Sequence, residues 1–285
     1  MYQYAGFNAE EIVELERERP AKKLNESLFS FNNEHMQFEL IDAFAPVAST
    51  DSVNTVDILQ NKAHFFLVID NLPYAIRNMQ TKNIPEDIIR ATFSDISCWY
   101  RYHKREFDYC GLSPRIVEWL SIHFEGKLYQ LGLLQFEIAS LYLEVEGLLI
   151  GAPILKVHIP EGRSLLSDLC DQSFQQAESF FMDILPYKFQ AYIFDSWVYD
   201  QDFLQLLPES SNIRKFVKRF SPVRQNLEKN DEIYQRIFGG RAARTGIVDR
   251  PFRTSLQKTM YPFFKENILF GSGVGIILND PQNYS

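Results

Sequence analysis

At 285 residues with 46% apolar content, 24 phenylalanines and 14 tyrosines, the chain can fill one large core or two ordinary ones, which excludes a mostly disordered protein. A net charge of −8 and a pI near 5.3 exclude a general nucleic-acid binder, which needs a basic stripe against phosphates. Three cysteines without CxxC spacing exclude a disulfide framework and a zinc site, and no run reaches the ~20 apolar residues of a membrane span, so free thiols, no metal, no membrane partner and a cytoplasmic setting are expected.

Along the chain, Asn8 with Glu11 three residues on has capping-box spacing, and Pro20 ends the helix that follows. The apolar stretch from Val56 to Met79 reads as a buried helix, by its helical neighbours. Pro85, Glu86 and Asp87 suit a first helical turn, and Ile88, Ile89, Phe93, Ile96, Trp99, Tyr100 and His103 recur at helical spacing, predicting one helix that Gly111 stops. Ser113-Pro114 opens another, closed by Gly126. The histidines His35, His64, His103 and His123 have no metal-ligand spacing.

After Gly126 the apolar period shortens from about 3.6 to 2. Leu128 to Glu137, Leu141 to Glu146 and Pro153 to Ile159 are predicted strands, joined by short links into an antiparallel meander. A helix from Asp168 or Ser167 to Pro186 follows, carrying Leu169, Ser173, Phe174, Ala177, Phe180, Phe181 and Ile184. Then come a strand over Ala191 to Val198, a short helix over Gln201 to Leu207 and a strand over Ile213 to Phe220, whose Arg214, Lys215, Lys218 and Arg219 read as a solvated strand edge or a local anion site. The helical crossover makes the strands on either side of it parallel. A helix near Thr254 to Glu266 and a glycine-spaced strand over Gly271 to Leu278 close the chain, the latter with no assigned place in the sheet. The fold class is α+β, an all-helical N-terminal domain over 1–126 and a mixed-sheet domain flanked by helices over 127–285.

The crossover concentrates the chemistry. A cleft beside the start of its helix suits a phosphate, and Gly162, Arg163 and Ser164 in the preceding loop are a permissive backbone and two donors. His158 closes the strand before that loop and shares a face with Ile154 and Lys156, where an imidazole can serve as a general base; Leu155, Val157 and Ile159 form the core-facing side. Gln135 and Glu137 share one face of the first strand, a substrate-binding amide and a candidate proton acceptor. Ser196 and Trp197 end the fourth strand on opposite faces, a candidate catalytic hydroxyl and a candidate ligand-binding ring.

The words Ile84-Pro85-Glu86, Ser94-Asp95, Leu131-Gly132-Leu133-Leu134-Gln135-Phe136-Glu137, Val157-His158-Ile159-Pro160, Asp195-Ser196-Trp197 and Ser211-Asn212-Ile213, in this order and spacing, resemble those of bacterial acyltransferase-domain proteins. These pair a helical N-terminal domain with a C-terminal domain similar to the GCN5-related N-acetyltransferases (GNAT-like). The resemblance implies acetyl-CoA or another acyl-CoA as cofactor, with pantetheine along Val157 to Ile159 and pyrophosphate on Gly162 to Ser164. It implies a small-molecule amine as acceptor, Glu137 or His158 taking the amine proton, and leaves room for a homodimer. The rival reading is a non-catalytic ligand-binding or regulatory protein that keeps the fold without the cofactor, its cleft filled by Trp197 and Tyr199.

Overall fold

The computed structural model describes residues 1–19 and 55–279. Pro20 and His35 lie outside them. Two compact units divide at Gln130/Leu131.

The first unit is helical: α1 (Ala9–Glu18), α2 (Thr55–Thr81), α3 (Glu86–Phe93), α4 (Asp95–Phe107) and α5 (Pro114–Phe124). The capping box is present, Asn8 Oδ1 accepting from the Glu11 amide at 2.9 Å and Glu11 Oε2 from the Asn8 amide at 3.0 Å. Helix α2 settles the ambiguous stretch: Phe65, Ile69, Leu72, Ile76 and Met79 are buried at spacings of three and four. The single helix predicted from Pro85 to Gly111 is instead two. At Ser94 the chain turns, and the Ser97 amide is shared between the carbonyls of Ser94 and Ala5, both at 3.2 Å. Gly6, at φ +79, lets the N-terminal turn approach so closely that a Cβ there would lie 2.7 Å from Ser97 Oγ. Helix α4 ends before Gly111, at Asp108 in the left-handed region with φ 65.

The second unit is built on a mixed sheet. Its strands are β1 (Leu128–Leu131), β2 (Leu134–Ser140), β3 (Pro153–His158), β4 (Ala191–Ser196), β5 (Ser221–Asn230) and β6 (Phe270–Leu278), in the order β1-β2-β3-β4-β6-β5. The helices are α6 (Ser167–Ile184), α7 (Gln201–Gln205), α8 (Asn212–Val217), α9 (Glu232–Phe238), α10 (Gly240–Thr245) and α11 (Ser255–Lys265). Strands β2 and β3 are antiparallel, and β3 and β4 parallel across α6. One face of the sheet takes α6: Phe136 meets Phe174 and Phe181 with ring centroids 5.6 and 6.4 Å apart, and Phe174 meets Tyr192 at 5.1 Å. The opposite face buries Ile154, Ala191, Ile193, Val274 and Ile276 under Leu141, Leu143 and Ala152 of the β2–β3 connection.

Four strand predictions are corrected. Leu128 to Glu137 is two strands, because Gly132 turns the chain at φ 61. Leu141 to Glu146 alternates in burial because Leu141 and Leu143 press onto the sheet face; beyond one Val145–Leu148 bridge the segment is not a strand. Ile213, Phe216, Val217 and Phe220 are spaced three, four and seven apart, a helical period, and form α8 and its exit; β5 begins only at Ser221. The fourth strand stops at Ser196, and Trp197–Tyr199 makes a 3-10 turn. Leu169, placed on the apolar face of α6, is exposed.

Strand β6 lies between β4 and β5, antiparallel to both. Its glycine spacing has a steric cause. A Cβ on Gly275 would sit 2.5 Å from the Tyr199 ring, and one on Gly273 2.9 Å from the Tyr199 carbonyl oxygen. The Tyr199 hydroxyl donates to the Phe220 carbonyl at 2.9 Å, which holds the ring in place. Gly275→Ala is expected to cost about 1–3 kcal/mol through overpacking, read as a lower urea midpoint at unchanged m-value.

Candidate active site

The parallel pairing of β3 and β4 runs Ile154–Ala191, Leu155–Tyr192 and Lys156–Ile193, and stops there. Strand β3 continues to His158 and β4 to Ser196; the end of β4 stays paired on its other side, Asp195 with Val274 and Ser196 with Gly273. The β3–β4 pairing thus ends before His158, whose position is two residues beyond the last paired one, Lys156.

Beside this point lies a pair of titratable groups. In the β2–β3 register Gln135 faces His158 and Glu137 faces Lys156, so all four side chains share the face opposite α6. The diagonal neighbours meet: His158 Nε2 is 2.8 Å from Glu137 Oε2, with side chains 26% and 15% exposed. Facing a carboxylate, Nε2 is the donor of this hydrogen bond. Gln135 is buried to 1%, and its Nε2 has no hydrogen-bond partner among the described residues.

A second cluster flanks the first. The Tyr142 hydroxyl donates to the Asp195 carboxylate at the end of β4, and the Lys156 ammonium lies 5.1 Å from the Tyr142 ring centroid. Burial first, then the hydrogen bond to Asp195, pushes the Tyr142 phenol well above its ordinary range, so it stays protonated. Chemistry-bearing residues outside the candidate set therefore enter the neighbourhood. The alternation that groups Lys156 with His158 is the signal for Lys156; Asp195 stands in the word Asp195-Ser196-Trp197, with no role assigned to it there. No local signal pointed to Tyr142.

The other candidates lie apart from the Glu137–His158 pair. Val157 is buried on the α6 face and Ile159 is half-buried. Gly162, Arg163 and Ser164 form an exposed turn, with Gly162 at φ 73 and open space where a Cβ would stand. Ser196 is on the Tyr192 and Phe194 face, away from His158, and its Oγ accepts from the Val198 amide at 3.3 Å. Trp197 packs on Phe203 with centroids 5.4 Å apart, and Tyr199 lies under β6. The basic cluster belongs to α8 and the residues that follow it, Lys218 and Arg219, not a strand edge. There Arg219 donates to Ser167 Oγ at 2.7 Å and pairs with Asp171 at 2.8 Å at the start of α6, while Lys218 reaches Glu209 at 2.8 Å.

Among the described residues no group of three or more His, Cys, Asp or Glu is placed to hold a metal ion, and no helix is long and apolar enough to cross a membrane. Cys110 and Cys170 are buried and Cys98 is half-buried, all as free thiols. Burial and the Glu18 carboxylate push the Cys110 thiol up to about 12.

Residues 128–277 match the family pattern of a GNAT-like C-terminal domain, and residues 2–126 that of an N-acyltransferase N-terminal domain. Among solved structures, an acyltransferase in complex with decanoyl-CoA and teicoplanin superposes with a TM-score of 0.64 at 23% identity, over 76% of this chain and 66% of that one. An acyltransferase in complex with decanoyl-CoA gives 0.62 at 23%, over 75% and 65%, and one with CoA and 10C-teicoplanin 0.63 at 22%, over 76% and 66%. The chain thus spans just under two thirds of these proteins, and at this identity the likeness is one of fold. A search of curated proteins finds no match.

Proposed function

Because the chain belongs to the family with a GNAT-like C-terminal domain, here behind an N-acyltransferase N-terminal domain, we propose that it transfers an acyl group from acyl-CoA to a small-molecule amine. The observation that carries this reading is the end of the β3–β4 ladder at Lys156–Ile193, two residues before a histidine already paired with a carboxylate. Parted parallel strands leave backbone amides for a pantetheine chain and for a thioester carbonyl. Val157 and Ile159 contribute that backbone, and the open turn at Gly162, Arg163 and Ser164 receives the diphosphate.

The reaction then needs one base. The amine nitrogen attacks the thioester carbonyl, the C–N bond forms and the C–S bond breaks, and coenzyme A leaves as its thiol or thiolate. His158 takes the proton released by the nitrogen. Glu137, accepting from Nε2, fixes the tautomer and stabilises the imidazolium that forms. Gln135 supplies a buried amide N–H on the same face for substrate binding. Ser196 and Trp197 have no step in this scheme, since both are engaged elsewhere. The similar solved proteins carry decanoyl-CoA, CoA, teicoplanin and 10C-teicoplanin, which favours a medium-chain donor and a small-molecule acceptor here as well.

Thermal unfolding with acetyl-, octanoyl- and decanoyl-CoA tests the reading. A donor that binds only the folded chain adds about 2.7 kcal/mol at 100 times its Kd. Stabilisation by at least one thioester, with free CoA produced when an amine is added, is the expected result. Indifference to all three would leave the non-catalytic reading standing.

A further inference from the structure

Tyr142 touches β3 and β4 at once. Its ring lies beneath the ammonium of Lys156, the last β3 residue paired with β4, and its hydroxyl is on Asp195, two residues past the last β4 position paired with β3. The segment that carries it is fixed. Leu141 and Leu143 are buried on either side of it, the Leu141 amide donates to the Ala152 carbonyl at 2.8 Å, and the Gly151 amide to the Leu141 carbonyl at 2.8 Å. The hydrogen bond itself is at the surface, with Tyr142 45% exposed and Asp195 exposed. Strand alternation puts Asp195 on the face of Glu137 and His158.

We infer that Asp195 is the carboxylate that receives the ammonium of the amine acceptor, and that Tyr142 is the competing donor the acceptor displaces, so that this pair sets acceptor affinity. The inference rests on the acyl-transfer reading for the role of the site, but the exchange it describes is a binding event; before transfer the bound ammonium gives one proton to solvent, and the neutral amine is the nucleophile. A phenol and an ammonium are alternative donors to one carboxylate, and the charged donor makes the stronger bond. Lys156 over the Tyr142 ring and Arg224, whose charge acts on the phenol, discriminate against a second positive charge on the acceptor.

The two partners of this hydrogen bond must respond with opposite signs. Tyr142→Phe removes the competitor and keeps the ring under Lys156, so amine binding tightens by about two- to tenfold, the worth of one hydrogen bond. Asp195→Asn removes the charge that holds the ammonium, so binding weakens by about tenfold or more. Benzylamine and glucosamine, each beside its N-acetylated form, are titrated by ligand-observed NMR without any thioester. The opposite signs, with no binding of the acetylated controls, support the inference. Changes of the same sign, unchanged affinities, or no amine binding to either the parent chain or Tyr142→Phe overturn it. Calorimetry with decanoyl-CoA on the same three proteins separates the two questions. Opposite signs without thioester binding would keep the amine site and discard acyl transfer.

Discussion

His158→Ala is expected to slow acyl transfer by about two to four orders of magnitude while leaving acyl-CoA binding intact. The imidazole is the group on its sheet face that a carboxylate holds, with Nε2 on Glu137 at 2.8 Å. The donor, in contrast, is assigned to backbone and to the exposed turn at Gly162, which the variant leaves untouched. Glu137→Gln should cost less, because it keeps a hydrogen-bond acceptor but removes the charge that stabilises the imidazolium. The double variant should be no slower than His158→Ala, since Glu137 acts through the imidazole. Single-turnover rates beside calorimetric Kd values decide the matter. A His158→Ala protein that transfers at the parent rate would remove His158 as the base, and multiplicative losses would make Glu137 a base in its own right.

Much of this neighbourhood could be read from alternation alone, for a physical reason. In a strand a side chain's face is set by parity, so Ile154, Lys156 and His158 had to share a side, as did Gln135 and Glu137. Bringing the two sets together needed the β2–β3 register, which alternation does not specify. The register here makes Glu137 and His158 diagonal neighbours. Tyr142 escaped notice because its segment imitates a strand. Leu141 and Leu143 are buried and Tyr142 exposed, as a half-buried strand would have it, yet the burial comes from contact with the sheet face and not from a ladder.

The helical predictions fared according to how local their causes were. The Asn8 capping box and the Gly126 stop depend on a few consecutive residues and appear as expected. The break at Ser94 depends on the Ala5 carbonyl, nearly ninety positions away, and no local propensity announces it. Strand β6 shows the same limit. Its alternating glycines were plain, but their purpose, room for the Tyr199 ring, is a tertiary fact. At Ile213 to Phe220 the strand reading and the structure differ in period: the apolar spacing is helical, and the segment forms α8 and its exit.

Asp95→Ala is expected to be the most damaging single change in the helical unit, costing about 3 kcal/mol or more. The Asp95 carboxylate is 4% exposed and receives the indole N–H groups of Trp99 at 3.0 Å and Trp119 at 2.8 Å. His123, itself fully buried, brings Nε2 to 3.1 Å, an ion-pair distance without hydrogen-bond alignment. Alanine would strand two indole donors and an imidazole in an apolar interior, where each unmade bond carries a desolvation cost. Burial raises the carboxyl pKa, but His123, Trp119 and Trp99 together outweigh it and hold the group below its ordinary value of 3.8. The sign follows: with the native pKa depressed, Asp95 contributes stability that is complete above about pH 4 and is lost as pH falls through the lower native value. His64 and His103, held neutral by burial, bring a separate loss that begins as pH drops below 6.5. Parent and Asp95→Asn should therefore weaken in parallel between pH 7 and 5, and only the parent should show the further loss below pH 4. Urea unfolding across that range measures both. An Asp95→Ala protein as stable as the parent would mean that the tryptophans and His123 find other partners, and that the buried carboxylate does not hold this unit together.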